Sequence, residues 1–359
     1  MKNRTYCVIM AGGIGARFWP LSQESCPKQF LDILGTGKTL IQQTFERLLP
    51  ICPAENFIVV TSEEHKSLVL EQLPQLHESQ VLSEPARRNT APCIAYANAH
   101  IRKRNPNALV IVSPSDHLIT NEMEFQCNIS KGLDFVEEND VLLTLGIKPN
   151  RPETGYGYIQ IGKELDTDSD SFRPVKTFTE KPNLELAKVF YESGEFYWNS
   201  GIFIWSLKTI DAAFANFLAE IHSLFQSSMP NILTENEPKT IHEVYMSCKN
   251  ISIDYGIMEK ANNVFVQMAN FGWSDLGTWT SLHDYSSKDT NNNGVLGGQV
   301  LLYDTQNSIV HLPSKKIAVI QGLNNYIIVE AHDSLLICPK SNEQQIRQFV
   351  TDVKTEFGK

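Results

Sequence analysis

Four short runs of this chain are apolar at nearly every position rather than at every second one: residues 6–10, 57–61, 108–113 and 141–147. A strand that is apolar on both faces has to be covered on both faces, which is the condition of an interior strand in a parallel sheet flanked by helices. The segments between the runs carry helical signals. Thr39, with Gln42 three residues on, has capping-box spacing ahead of an apolar stripe of Leu40, Ile41, Phe45 and Leu48. Thr90-Ala91-Pro92 predicts a second helix start, with threonine as N-cap and proline in the first turn. The alternation predicts an α/β fold, a sheet between helical layers, with ligands at the carboxyl ends of strands. At 359 residues, the chain has room for one large domain of this type and a smaller one.

The second half reads differently. Strands at 157–161 and 202–205 mix with helices around 184–193 and 209–225. Residues 286–294, Ser-Ser-Lys-Asp-Thr-Asn-Asn-Asn-Gly, read as a polar connection. Short β runs then recur at 300–303, 309–312, 317–320, 326–329 and 335–338, as in a small all-β unit. The chain closes on a helix capped by Ser341, with Gln344 three residues on and Ile346, Phe349, Val350 and Val353 on one face. The expected domains are therefore residues 1–285 and 286–359.

Charge narrows the functional classes. With 31 Lys+Arg against 41 Asp+Glu the net charge is −10, which argues against a nucleic-acid or acidic-membrane surface. An acidic protein that binds phosphates must gather its cations locally. The seven cysteines are dispersed without Cys-x-x-Cys spacing, which fits reduced thiols rather than a disulfide framework or zinc site. No signal-peptide core and no membrane-length apolar stretch is visible, so a cytoplasmic protein is expected, with no membrane partner.

The loop after the first strand gathers such cations. It runs Ala11-Gly12-Gly13-Ile14-Gly15-Ala16-Arg17-Phe18-Trp19-Pro20 and continues to Pro27-Lys28-Gln29-Phe30. Its glycines permit close approach of backbone N–H groups to an anionic or planar ligand, and Arg17 and Lys28 supply two separated charges. A Walker A loop would need Gly-Lys-Ser/Thr, which does not follow Gly15, and the dinucleotide fingerprint needs a small residue where Phe18 stands. Phe18 thereby speaks against a dinucleotide oxidoreductase. Asp116, just past a buried run, and Asp275, in Gly272-Trp273-Ser274-Asp275-Leu276-Gly277-Thr278-Trp279, are each either turn or helix caps or hard carboxylate ligands. Together they offer two hard carboxylates from distant parts of the chain, and Mg²⁺, or another divalent cation, is typically held by one or two carboxylates alongside phosphate oxygens and water.

The motifs Phe18-Trp19-Pro20-Leu21-Ser22 and Pro27-Lys28-Gln29-Phe30 resemble the mannose-1-phosphate guanylyltransferase branch of the sugar-1-phosphate nucleotidyltransferases, and motifs in matching order extend from about residue 5 to 285. The resemblance implies a Rossmann-like catalytic domain of mostly parallel mixed sheet, followed by a small left-handed β-helix-like domain that often supports homodimers. It implies GTP and mannose 1-phosphate as substrates, and GDP-mannose and pyrophosphate as products. On this reading Arg17, Lys28, Asp116 and Asp275 are catalytic, and the two aspartates ligate the metal. Ala11, Gly12, Gly13, Gly15, Glu84, Arg88 and Asn89 bind the nucleotide; Glu84 would accept N1–H and N2–H₂ of guanine or be a structural acid, and Arg87 and Arg88 would otherwise be surface charge. Gly155, Glu180, Lys181 and Asn199 bind the sugar phosphate, with Asp254 and Glu259 orienting that site. His117 is expected to be structural, because a sugar phosphate is already an anionic nucleophile. Ala16 departs from the commoner threonine. The chain stops before the cupin of bifunctional relatives, so phosphomannose isomerase activity is not expected. Another sugar or nucleotide, and a silent GDP-mannose-binding paralogue, are the competing readings; the latter should have lost a phosphate cation or a metal carboxylate.

Overall fold

The structure is a computed structural model that describes residues 2–13, 15–163 and 171–358. The chain forms two compact units, and neither is continuous in sequence. One comprises Met1–Gly12, Thr44–Ser115 and Ile119–Trp273; the other comprises Gly13–Gln43, Asp116–Leu118 and Ser274–Lys359.

The first unit is built on a nine-stranded sheet in the order Val81–Glu84, Phe57–Ser62, Thr5–Met10, Leu109–Pro114, Phe196–Ser206, Leu142–Ile147, Val264–Ala269, Phe172–Thr179 and Tyr158–Ile161. The first four strands pair in parallel, as their continuous apolar character demands. Phe196–Ser206 then enters antiparallel to both its neighbours, so the sheet is mixed. Only the fully buried end of that strand, residues 202–205, was legible as a continuous apolar run; residues 196–201 alternate between buried and half-buried. Val8, Ile58, Val60, Val110 and Val112 are fully buried, each contributing roughly 1.5–3 kcal/mol of burial.

Two expected helices of this unit differ in the structure. The helix Thr90–Arg104 is capped by Asn89, whose side chain accepts from the Thr90 N–H, while the Thr90 hydroxyl accepts from the Ile253 N–H. The helix expected over 209–225 is two helices, Leu207–Phe217 and Ala219–Ser228, broken at Leu218.

In the second unit, Gly294–Leu296, Ile309–His311 and Tyr326–Ala331 stack as a parallel ladder, and Gln299–Tyr303 pairs in parallel with Ile317–Gln321. Successive rungs are a turn of the chain apart, a β-helix in which each rung needs its neighbour to bury its apolar side. The polar stretch taken for a connection is its first turn. The Asn292 amide donates to Asn307 at 2.8 Å, and Asn307 to Asn324 at 3.2 Å. Buried Asn293 donates to the Thr305 carbonyl and accepts from the Ser308 N–H. The closing helix begins at Ile346 after a 3₁₀ segment, Lys340–Gln345, so Ser341 does not cap it. Ile346 is fully buried with Phe18, Leu276 and Trp279 in the core of this unit, and Phe349 and Val350 pack against it. Phe18 explains the failed dinucleotide fingerprint: its ring lies against Trp279 with centroids 4.9 Å apart, anchoring the loop where a cofactor fold needs a small residue. All seven cysteines are free.

Candidate active site

The second unit holds a cavity of about 200 Å³ lined by Gly15, Arg17, Lys28, Asp116 and Asp275, together with His117 and Arg347. Four separate stretches of sequence meet there, and Lys28 ties three of them. Its buried ammonium lies 2.9 Å from Asp116 Oδ2 and donates to the carbonyls of Asp275, at 2.7 Å, and Leu276, at 3.1 Å. All three donors of the lysine are thereby used. Leu276 holds its carbonyl in place at a φ of +44°, a left-handed conformation that a branched residue keeps only when its surroundings enforce it. Gly15, also left-handed, is obligatory for a second reason: a Cβ there would lie 2.6 Å from Lys28 Cβ. Gly13 is tethered through its carbonyl to the Gln29 amide at 3.1 Å.

Burial works to raise the Asp116 pKa, but the charges of Lys28 and His117 and the Lys28 hydrogen bond outweigh it and hold the carboxyl below its ordinary value. His117 Nε2 stands 3.8 Å from Asp116 Oδ1, so its contact is with the carboxylate beside it. The Asp275 carboxylate accepts the Gly277 N–H at 2.8 Å.

The first unit carries two further groups of the expected residues. In one, Tyr245 donates its hydroxyl to Glu84 at 3.0 Å, and Arg88 Nε donates to the Tyr245 carbonyl at 2.9 Å. Burial pushes the Glu84 pKa up to about 7 against the opposing Tyr245 hydrogen bond. Gly12 leaves space beside this carboxylate, since a Cβ there would lie 3.5 Å from Glu84 Oε2. Ala11 continues the sheet, its N–H donating to Val60 and its carbonyl accepting from Thr61. Asn89 sits at φ 69°, ψ −171°, a region nearly confined to glycine.

In the other group, Asn199 is fixed on both sides of its amide. Its oxygen accepts from Thr144 and the Gly201 N–H, and its nitrogen donates to Asp254 at 2.8 Å. Asp254 opens a π-helical turn, Asp254–Met258, a distortion common at functional sites. Burial and then the Glu180 charge push its pKa up to about 6, with the Asn199 bond opposing them. Burial and Glu180 also raise Glu259. Lys181 is exposed and left-handed, φ +48°, and donates to the largely buried Glu180. Gly155 is held by Glu153, its N–H donating to that carboxylate at 3.0 Å.

Comparison with known proteins gives the family. Residues 6–292 match the family model described as Nucleotidyl transferase, and residues 298–353 match the MannoseP isomerase/GMP-like beta-helix domain. A mannose-1-phosphate guanylyltransferase of Escherichia coli is 36% identical over 98% of this chain and 76% of its own length. The xanthan biosynthesis protein XanB of Xanthomonas campestris is 36% identical over 97% of this chain and 73% of its own length. A solved structure described as mannose-1-phosphate geranyltransferase from Thermus thermophilus superimposes with a TM-score of 0.88 at 30% identity, covering 98% of this chain and 99% of that one. This chain belongs to the mannose-1-phosphate guanylyltransferase family.

Nucleotidyltransferases generally use divalent cations. No group of three or more His, Cys, Asp or Glu able to hold a metal occurs among the described residues. Two hard carboxylates on one cavity, Asp116 and Asp275, are nevertheless the donor set that Mg²⁺ takes when phosphates and water supply the remainder. Two residues of this guanylyltransferase-family chain escaped the sequence reading. Tyr245 is one apolar-face residue among several on the helix Glu237–Ser247, and nothing in its neighbours signals the contact with Glu84. Arg347 follows buried Ile346 in a helix whose strongest sequence signal is its apolar stripe. No helix among the described residues is long and apolar enough to cross a membrane.

Proposed function

We propose that the chain transfers GMP from GTP to α-D-mannose 1-phosphate, giving GDP-mannose and pyrophosphate. The observation that carries this reading is the single cavity lined by Arg17, Lys28, Asp116 and Asp275, two cations and two carboxylates in an acidic protein. A mannosyl phosphate oxygen attacks the α-phosphorus in line; the bond to the β-phosphate oxygen breaks, and pyrophosphate leaves with the electron pair. No general base is needed, so positioning and charge neutralisation supply the rate. Arg17 neutralises the leaving pyrophosphate. Lys28 presents a fixed positive charge and reaches the α-phosphate by exchanging one of its carbonyl partners. Asp116 and Asp275 would hold a divalent cation, which would offset charge on the phosphates. Gly12, Gly13 and Gly15 leave the backbone open to the nucleotide, with Ala11 preceding them and Arg88 and Asn89 beside Glu84. Lys181 takes the sugar phosphate; Gly155, Glu180 and Asn199 take sugar hydroxyls, with Asn199 locked in one amide orientation by Asp254 and Thr144. We place the catalytic portion in residues 1–285 and the β-helix in 286–359, in a cytoplasmic protein. Exposed Leu301, Tyr303, Ile317 and Val319 on two paired strands support a homodimer.

The test is a matrix of nucleoside triphosphates against sugar 1-phosphates read by pyrophosphate release. Turnover is expected to be largest for GTP with mannose 1-phosphate. Preference for another pair would redirect the substrate assignment, and silence of every pair would remove the transfer reading.

Glu84 makes a pH-dependent prediction. Guanine's two adjacent donors favour the carboxylate, whereas the unliganded group is protonated below about pH 7. Binding GTP must then release a proton, so KM for GTP should rise as pH falls below 7, by up to about tenfold per unit. Glu84→Gln should bind GTP more weakly at pH 8 and lose this part of the slope, leaving only the titration of GTP itself. Equal slopes in the two proteins would dismiss the role.

A further inference from the structure

We propose that Arg347, on the C-terminal helix Ile346–Phe357, is a substrate-binding residue that takes the β/γ end of the nucleoside triphosphate and the pyrophosphate it becomes. The proposal rests on the transfer reading above and extends it to the module outside the nucleotidyl transferase match, since Arg347 lies in the β-helix match at residues 298–353.

Arg347 lines the same cavity as Gly15, Arg17, Lys28, Asp116 and Asp275. The charge in that cavity is incomplete without it. Before any divalent cation is counted, Arg17 and Lys28 are balanced by Asp116 and Asp275, so without Arg347 these side chains set no net positive charge against a triphosphate of roughly four negative charges. A guanidinium is the side chain best matched to phosphate, because its planar fork donates in pairs and remains charged.

The helix holds Arg347 in place while leaving its head exposed. Its chain neighbour Ile346 is fully buried beside Phe18 and Trp279, so the backbone at 347 is anchored to the core under the glycine loop. The side chain itself is exposed, and no carboxylate of the described residues pairs with it. Lys354 on the same helix behaves as an ordinary surface cation and pairs with Glu24 at 2.5 Å. An arginine on an anchored backbone, lining a phosphate cavity and paired with no carboxylate of the described residues, is left for a ligand.

Arg347→Ala, Arg347→Lys and, as a control on the same helix, Lys354→Ala test this in both reaction directions. In Arg347→Ala, KM for GTP and, in reverse, KM for pyrophosphate should rise about tenfold, the loss of one charge-assisted contact. KM for mannose 1-phosphate and for GDP-mannose should stay within twofold, because neither carries the β/γ end of the triphosphate. Arg347→Lys should recover part of the loss, and Lys354→Ala should match the parent. Thermal midpoints should be unchanged in all three, since both side chains are exposed. KM values for GTP and pyrophosphate within twofold of the parent would overturn the proposal, as would equal rises for all four substrates. Silence of the parent protein with every nucleotide and sugar phosphate would instead count against the transfer reading, so the two failures are distinguishable.

Discussion

Replacing Asp116 by alanine should lower kcat for pyrophosphate release by about 10³-fold, the scale on which a preorganised electrostatic group contributes to a transition state. The fold should survive. Without the carboxylate, Lys28 still donates to the carbonyls of Asp275 and Leu276, and its third donor faces a cavity open to water. The stability cost is then about 1.5–3 kcal/mol, that of one charge-assisted hydrogen bond. Asp116→Asn separates the two jobs of the side chain. It retains an acceptor for Lys28 but offers no charge to a divalent cation, so kcat should fall nearly as far while the thermal midpoint recovers. Asp275→Ala should raise the Mg²⁺ concentration needed for half-maximal rate. Arg17→Ala should lose turnover comparably with little effect on folding. A kcat within tenfold of the parent in Asp116→Ala or Arg17→Ala would sink the mechanism.

What was legible in the sequence follows from which constraints are local. The continuous apolar runs at 6–10, 57–61 and 108–113 report burial on both faces, and those strands do lie in parallel at the interior of the sheet. Phe196–Ser206 was read only in part, because a strand that alternates at one end and is buried throughout at the other has no single period. The sequence pattern predicts the helix at 90 but not its cap. Thr90 has the right chemistry, yet its hydroxyl is taken by Ile253, a contact 163 residues away, and Asn89 does the capping from a backbone conformation that propensity disfavours. Residues 286–294 are polar because asparagines stack through their amides from turn to turn, and in a single turn such a stack looks like a linker. At the site, residue types announced Arg17, Lys28, Asp116 and Asp275 as candidates for phosphate and metal. Sequence could not reveal that Lys28 spends every donor within the protein, nor that Arg347 lines the same cavity, because both depend on the folding of segments about 250–330 residues apart.

Lys28→Met should damage both the cavity and the fold. Methionine has nearly the length of lysine and packs without a cavity, so the loss isolates the ammonium. Three acceptors lose their donor together: the Asp116 carboxylate and the carbonyls of Asp275 and Leu276. Removing one partner of a buried pair costs about 3–5 kcal/mol; the Asp116 side chain remains about 30% exposed, so water offsets part of this and about 2–4 kcal/mol is expected. Leu276, held left-handed beside a carbonyl that no longer has a partner, should relax and carry Asp275 out of position, so turnover should fall at least as far as in Asp116→Ala. The pH dependence identifies the cause. In the parent, Lys28 keeps the folded-state pKa of Asp116 below its unfolded value, so the pair contributes stability at neutral pH and loses it as pH falls through the acidic range where Asp116 takes up a proton. In Lys28→Met the effect of burial on Asp116 is left with the His117 charge and a hydrogen bond from its own backbone opposing it. Its carboxylate then becomes a liability, and the deficit in urea midpoint should be larger at pH 7 than at pH 4. Adding Asp116→Asn to Lys28→Met removes that unpaired charge and should recover stability relative to Lys28→Met alone, a coupling that independent sites do not show. Strictly additive midpoints in the double variant would mean that Lys28 and Asp116 act separately, and the cavity would have to be held together by something other than this lysine.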